Sequence, residues 1–304
     1  MTKSIQEFCR VGFVHFMLFK DCIKGEGDFS SISKILDDPY FDAIELSWIG
    51  DPTRRSRVAQ ELKSAKKSIA FGAQPVLLTQ GLDINHLEES ERRNAVEQVK
   101  AVIPQAYELG AEGFAVLSGK NTEEKHKSKA MEQLERSLVE IGLELKRYGD
   151  IPLRLETFDQ LPYGKNCLIG SNADAALIAK DVRAEIPGFG LMIDLSHLPL
   201  QGETPAQAWQ ACGEYVVHAH IGNCVMNNPA HPMNGDEHPP FCIPEGENCV
   251  DELTDYLRVL LEGGYLNTET RPFLSFEVSL FDNWTPESAI TNAKETLDAA
   301  WSRV

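Results

Sequence analysis

The chain predicts an α/β fold, a single (β/α)8 TIM barrel, and three observations carry that prediction. Strand-like apolar runs alternate with helix-like periodic stretches throughout, as expected of βα units around a parallel sheet. Eight runs of each kind suit a closed barrel better than an open, doubly wound sheet. The last four strand-like runs each end on an ionisable or metal-binding side chain: Ile151-Pro-Leu-Arg-Leu-Glu156, Phe189-Gly-Leu-Met-Ile-Asp194, Tyr215-Val-Val-His-Ala-His220 and Phe273-Leu-Ser-Phe-Glu277. Residues at the carboxyl ends of barrel strands point into the mouth, where the reactive groups of such folds collect. A length of 304 residues would allow two domains, but one barrel reaches this size, so a single domain over 1–304 is expected.

The elements follow in order. A first strand is read over 11–19, with a short helix over about 29–36. The second strand covers 41–48 and precedes a helix over about 52–67 that is charged on one face. A third, over 69–78, leads into a long helix over about 90–109, in which Val96, Val99, Val102 and Ile103 recur at helical spacing. The fourth, over 111–118, precedes a long helix over 122–148 with apolar Met131, Leu134, Leu138, Ile141, Leu143 and Leu145. The four runs quoted above are strands five to eight, with helices near 172–185, 204–212 and 248–262 after the fifth, sixth and seventh. An amphipathic helix over about 286–301 closes the chain, and neither a solenoid repeat nor a low-complexity linker interrupts it.

With 42% hydrophobic and 25% charged residues, the composition is that of an ordinary globular protein. A net charge of −17 repels phosphate backbones, and the lysines of 120–129 are interleaved with glutamates, so nucleic acid is not an expected partner. Seven cysteines, an odd number without a Cys-x-x-Cys pair, fit reduced thiols better than a disulfide framework. The polar start, Met1 to Glu7, lacks a signal-peptide core and no apolar run approaches membrane-spanning length. A cytoplasmic protein without a membrane partner is expected.

Spacing adds a functional clue. The four strand-end residues are separated by 38, 26 and 57 positions, whereas one βα unit takes roughly 30. The excess falls in about 221–247, a stretch rich in Asn, Pro, Gly and His directly after the strand that carries His220. A connection at that end lies over the barrel mouth, where long loops act as lids or binding surfaces.

Three carboxylates crowded at that mouth would repel one another, and a divalent cation is their natural neutraliser. Three oxygens and one imidazole suit Mn2+, Mg2+ or Co2+ better than structural zinc, which favours thiolates. Side chains two apart share a strand face, so Arg154, Met192, His218 and Ser275 should point inward one layer below. A buried Arg154 needs a carboxylate, for which Glu45 is the candidate, and Arg154, His218 and Glu45 are read as supports. His197, three residues past Asp194, is a candidate to bind a substrate hydroxyl or, as the alternative, to cap the following segment. Ser118-Gly-Lys-Asn121 lacks the remainder of a phosphate-binding loop, but Lys120 and Lys165 are candidates to approach an anionic or hydroxylated substrate.

The segments Leu-Glu-Thr-Phe-Asp159, Met-Ile-Asp-Leu-Ser-His197, His-Ala-His-Ile-Gly222 and Ser-Phe-Glu-Val278 resemble the metal-binding strand ends of the xylose isomerase-like barrel superfamily, in its sugar isomerase and ketose 3-epimerase branch. The resemblance spans nearly the whole chain and is most specific between 151 and 278. It implies that Glu156, Asp194, His220 and Glu277 bind one divalent ion, Mn2+ first with Mg2+ or Co2+ as alternatives. It further implies that Glu156 and Glu277 double as acid and base and that His197 contacts substrate. The expected activity is isomerisation or epimerisation of a small-molecule carbohydrate through an enediolate. Two positions depart from the ketose 3-epimerase pattern, where the branch's sugar-holding arginine and glutamate are replaced by Met226 and Leu161. The long loop instead offers Asn223, Asn227, His231, Asp236 and His238 as substrate-binding candidates.

An alternative uses the same parts: a lyase cleaving a 3-oxo-glycoside, similar to C-glycoside-cleaving proteins that work with a small partner subunit. An apurinic endonuclease would need further histidines and a basic face, and a purely sugar-binding barrel would not need both glutamates. A homo-oligomer is a further possibility, with Phe241, Ile243 and Trp284 as contact or pocket candidates.

Overall fold

The computed structural model describes residues 3–304; Met1 and Thr2, at the head of the polar start, lie outside the described residues. Eight parallel strands form one sheet: β1 (Arg10–Phe13), β2 (Ala43–Leu46), β3 (Ser68–Gly72), β4 (Phe114–Leu117), β5 (Leu153–Glu156), β6 (Gly190–Asp194), β7 (Val216–Gly222) and β8 (Phe273–Glu277). From β2 to β8 each ladders with its sequence neighbour, and β8 pairs with β1. Between β1 and β2 a single bridge from Val14 to Glu45, together with the Asp42 amide donating to Val11 O at 2.8 Å, closes the ring. The result is one (β/α)8 barrel. Its strands are short and mostly buried on both faces, because the barrel interior covers one side and the helices the other.

The helices are α1 (His15–Leu18), α2 (Ser33–Leu36), α3 (Pro52–Ala65), α4 (Gln74–Gln80), α5 (Glu89–Leu109), α6 (Glu124–Tyr148), α7 (Asn172–Glu185), α8 (His197–Gln201), α9 (Pro205–Cys212), α10 (Val250–Glu262) and α11 (Pro286–Trp301). Local chemistry sets their starts. Asp51 caps α3 by accepting from the Arg54 amide at 2.7 Å, and Ser171 caps α7 through the Asp174 amide at 3.1 Å. Packing between barrel and helices forms the main core, with Leu155, Leu191 and Ile221 turned outward into it from neighbouring strands.

Two of the expected strands give way to helix within their apolar runs. β1 stops at Phe13 and β3 at Gly72, and each is followed by a short helix, α1 or α4. Apolar residues there line the barrel mouth or the core, and an unbroken apolar run does not distinguish strand from buried helix. Pro75 fits α4 because the first turn has no intrahelical use for its missing amide proton.

Inside the barrel, Phe273 packs with Ala43 and Ala70 and is flanked by the guanidinium groups of Arg10 and Arg154, 4.1 and 5.2 Å from its ring centre. Gly113 makes room for Arg154, since a β-carbon there would lie 2.1 Å from its guanidinium carbon.

The cysteine expectation needs correction. Cys242 and Cys249 are joined by a disulfide, with Cα atoms 4.4 Å apart, while the other five cysteines are buried thiols. The bond ties together the end of one loop, a local staple that cysteine parity does not reveal. Among the described residues no helix is long and apolar enough to cross a membrane.

Candidate active site

The carboxyl ends of β5, β6, β7 and β8 bring Glu156, Asp194, His220 and Glu277 together. Asp194 pairs in register with His220, and His220 with Ser275, so the barrel's shear lifts Glu277 above the residue level with the imidazole. One oxygen from each carboxylate and one His220 nitrogen all lie within 4.8 Å of one another, and all four residues are buried.

Each of two carboxylates has one anchored oxygen and one free oxygen. Gln74 Nε2 donates to Glu156 Oε2 at 2.8 Å, and the Ser196 amide donates to Asp194 Oδ1 at 2.7 Å. Glu156 Oε1, Asp194 Oδ2 and His220 Nδ1 are buried without a hydrogen-bond partner. His220 Nδ1 stands 2.8 Å from Glu277 Oε2 and 3.2 Å from Glu156 Oε1, close but not aligned for hydrogen bonding. Orphaned buried polar atoms cost about 1–3 kcal/mol each, so three that converge mark a place for a ligand. Burial alone would push the His220 imidazole down, but Glu45, Glu156 and Glu277 hold its pKa well above the ordinary range. The floor attracts positive charge, and its three oxygens and one nitrogen fit a hard or borderline divalent cation.

Beneath it, Glu45 Oε1 accepts from His218 Nε2 at 2.7 Å and lies 3.2 Å from His220 Nε2. The Arg154 guanidinium donates to His218 Nδ1. Since arginine only donates, Nδ1 is the acceptor, and the ring proton sits on Nε2 facing Glu45. Burial pushes the His218 imidazole down to about 3, which keeps it neutral in this relay. Arg154 therefore reaches Glu45 through His218 rather than pairing with it directly, a correction to the sequence expectation. Burial opposes ionisation of Glu45, yet the two imidazoles hold its carboxyl well below the usual range.

A second buried cluster comes from the loop 223–249 between β7 and α10. Asp236 Oδ1 takes His197 Nε2 at 3.0 Å and lies 2.8 Å from His238 Nε2. Lys165 Nζ donates to Asp236 O at 2.8 Å and stands 3.5 Å from Oδ2. Despite burial, Lys165, His197 and His238 hold the Asp236 carboxyl well below its usual range. Burial would lower the His238 pKa, but Glu277 and Asp236 raise it to about 9. The loop is pinned to the barrel: the Ser279 amide donates to His238 O at 2.6 Å, and Asn248 Nδ2 reaches Gly222 O at 3.0 Å. His238 itself has φ 53°, a left-handed conformation held by these contacts.

A cavity of about 180 Å3 opens above the floor. Glu45, Gln74, Glu156, His220 and Glu277 line its base, and Lys165, Asp236, Glu237 and His238 line one side. The other candidates lie elsewhere. His197 is fully buried, with Nδ1 bound to Thr157 O at 2.7 Å and Nε2 to Asp236, so it braces Asp236 instead of facing the cavity. Asn223 spends its amide on the loop, donating to Pro240 O at 2.9 Å and accepting from the Asn248 amide at 2.8 Å. His231 accepts from the Met233 amide at 3.1 Å, and Lys120 is exposed; neither lines the cavity. Phe241 and Ile243 are buried within the chain, and Trp284 packs on the cluster of Val225, Met233 and Ile243. Gln74 escaped the sequence reading because 69–78 was read as one strand; its position after Gly72 at a strand's carboxyl end was the available signal.

Fold and site define a class: (β/α)8 proteins with a buried, ionisable site at the carboxyl ends of the strands. The family described as xylose isomerase-like TIM barrel matches residues 40–300, and the chain belongs to it. Among solved structures, it is similar to a D-tagatose 3-epimerase-like protein, with 20% identity, a TM-score of 0.70, and coverage of 97% of this chain and 99% of that one. The 3-keto-D-glucoside 4-epimerase YcjR of E. coli gives 15% identity and a TM-score of 0.66 over 95% and 98% of the two chains. The IOLI protein, described with a binding zinc atom, gives 16% and 0.68 over 97% and 98%. At such identities the likeness is one of fold. No curated protein matches the chain by sequence.

Proposed function

We propose that this protein is a divalent-metal-dependent sugar isomerase or epimerase that moves a proton beside a carbonyl through an enediolate. The observation that carries this reading is the floor of three carboxylates and one imidazole, with three orphaned buried atoms converging beneath the cavity. Glu156, Asp194, His220 and Glu277 would hold the ion, Mn2+ first with Mg2+ or Co2+ as alternatives. When bound, it supplies a Lewis acid for the sugar's carbonyl and neighbouring hydroxyl oxygens.

The remaining work belongs to the chain. Glu156 and Glu277, on different strands and both lining the cavity, serve as the base that takes the proton and the acid that returns it. Gln74 fixes the orientation of Glu156. Lys165, Asp236 and His238 supply partners for sugar hydroxyls along one side. Membership of a xylose isomerase-like family supports the reading, as does the fold shared with proteins described as 3- and 4-epimerases.

The test is solvent deuterium incorporation into ketoses, aldoses and 3-oxo-glycosides, with and without chelator. Metal-dependent exchange beside the carbonyl is expected. Exchange that survives complete metal removal, or that persists in Glu156→Gln and Glu277→Gln, would contradict the proposal.

A further inference from the structure

The cavity is two-sided, and the proposed chemistry uses only its base and one flank. The opposite flank is built from the segment after β1 and from the start of α4, and it is apolar: Phe16, Met17, Ile23, Pro75 and Leu78 line it, with Phe158 from the end of β5. Phe16 is seated deliberately. Gly72 has no side chain, and a β-carbon there would come within 3.2 Å of the Phe16 ring. Met17 and Ile23 are half-buried, and Leu78 is 42% exposed. Among the described residues, Leu78 is the exposed large apolar side chain that lines this cavity.

A sugar ring meets such a wall with its C–H face alone. Hydroxyls turned toward it would lose water without gaining partners, since Lys20 is the one charged side chain lining that flank. An aromatic substituent would be matched there, since Phe16 and Phe158 line the flank and the Met17 thioether suits contact with a ring. The polar flank and base would meanwhile retain the hydroxylated, carbonyl-bearing ring. We propose that the substrate is a sugar bearing an aryl substituent, an aryl glycoside with its carbonyl in the sugar ring, whose aryl group lies along Phe16, Met17, Ile23 and Leu78. This deepens the functional reading above and rests on it for the position of the sugar ring.

Two measurements separate the inference from that reading. Binding of phenyl β-D-glucoside and methyl β-D-glucoside to the Mn2+-loaded protein, followed by calorimetry, needs no turnover. Deuterium exchange with phenyl and methyl 3-oxo-β-D-glucosides then tests the same preference during reaction. Phenyl compounds should be favoured by about tenfold or more in Kd and in kcat/KM, with the catalytic difference carried by KM. In the double variant Met17→Ser/Leu78→Ser, whose sites are partly exposed, both ratios should fall toward one while the circular dichroism spectrum is retained. Equal binding of phenyl and methyl compounds by the native protein would overturn the inference. So would an undiminished preference in the variant, or a dimer that the substitutions dissociate without changing the preference, which would assign the patch to a second copy. Preferential phenyl binding without exchange from any sugar would leave the aryl site standing and overturn the proton-transfer reading.

Discussion

The floor and the loop cluster are both built around buried carboxylates and imidazoles, yet they balance charge in opposite ways. In the loop cluster one carboxylate, Asp236, is surrounded by His197, His238 and Lys165. In the floor three carboxylates face one imidazole, and a fourth, Glu45, stands behind it. The first set pairs its carboxylate with three cationic groups and leaves one atom, Asp236 Oδ2, without a hydrogen bond; the second leaves three that converge, Glu156 Oε1, Asp194 Oδ2 and His220 Nδ1. Paired groups brace a structure, and converging unpaired groups are poised for something that arrives. His15 shows what happens with neither acid nor ligand. Its Nε2 meets Ser31 Oγ at 2.9 Å, and burial pushes its pKa down to about 3.

The contrast can be broken by mutation. Glu277→Gln should lower kcat by roughly 10^3-fold, about 4 kcal/mol, with the melting temperature nearly unchanged. Asp236→Asn should do the reverse to the fold. It strands buried cations and should cost about 3 kcal/mol in denaturant unfolding, while Mn2+ affinity stays within about threefold. An Asp236→Asn protein of native stability that has lost metal would invert the assignments of the two clusters.

Smaller effects sharpen the comparison. Glu45→Gln removes the carboxylate behind His220 and should weaken Mn2+ binding by about 10- to 100-fold, measured by calorimetry at fixed pH. His15 tests the third case. Its folded pKa lies below the unfolded value, so between about 6.5 and 3 the unfolded chain binds a proton that the folded chain does not. Stability from this residue is complete above pH 6.5 and falls as pH drops, by about 2 kcal/mol at pH 5. His15→Phe should flatten that limb of the stability curve; an unchanged limb would show that His15 is not its source.

Much of the fold was legible because barrel strands obey a simple rule: buried runs ending on a polar residue. The boundaries of β8, α7 and α11 follow directly from their sequence patterns. The residues of the floor could be picked out for the same reason, as interruptions at the end of apolar runs. What stayed hidden depends on distant neighbours. That His218 would insert between Arg154 and Glu45 requires barrel geometry, since three different strands carry them. His197 looked like a substrate ligand because it follows Asp194 so closely, but the first turn of α8 directs it inward to Thr157 and Asp236. Gln74 and most of the apolar flank (Phe16, Met17, Pro75 and Leu78) lie inside the runs 11–19 and 69–78, whose apolar residues continue past the strand end and hide the turn into a short helix. The disulfide joins two of seven cysteines across one short loop, a pairing set by local chain path.

The most direct measurement is a calorimetric titration of metal-free protein with Mn2+, comparing wild type with Asp194→Asn. About one ion per chain is expected for the wild type, with affinity weakened by more than about 100-fold in the variant and the barrel still folded. A wild-type protein that takes up no Mn2+, Mg2+ or Co2+, or a variant that binds as tightly as wild type, would contradict the claim that these four strand ends form a metal site.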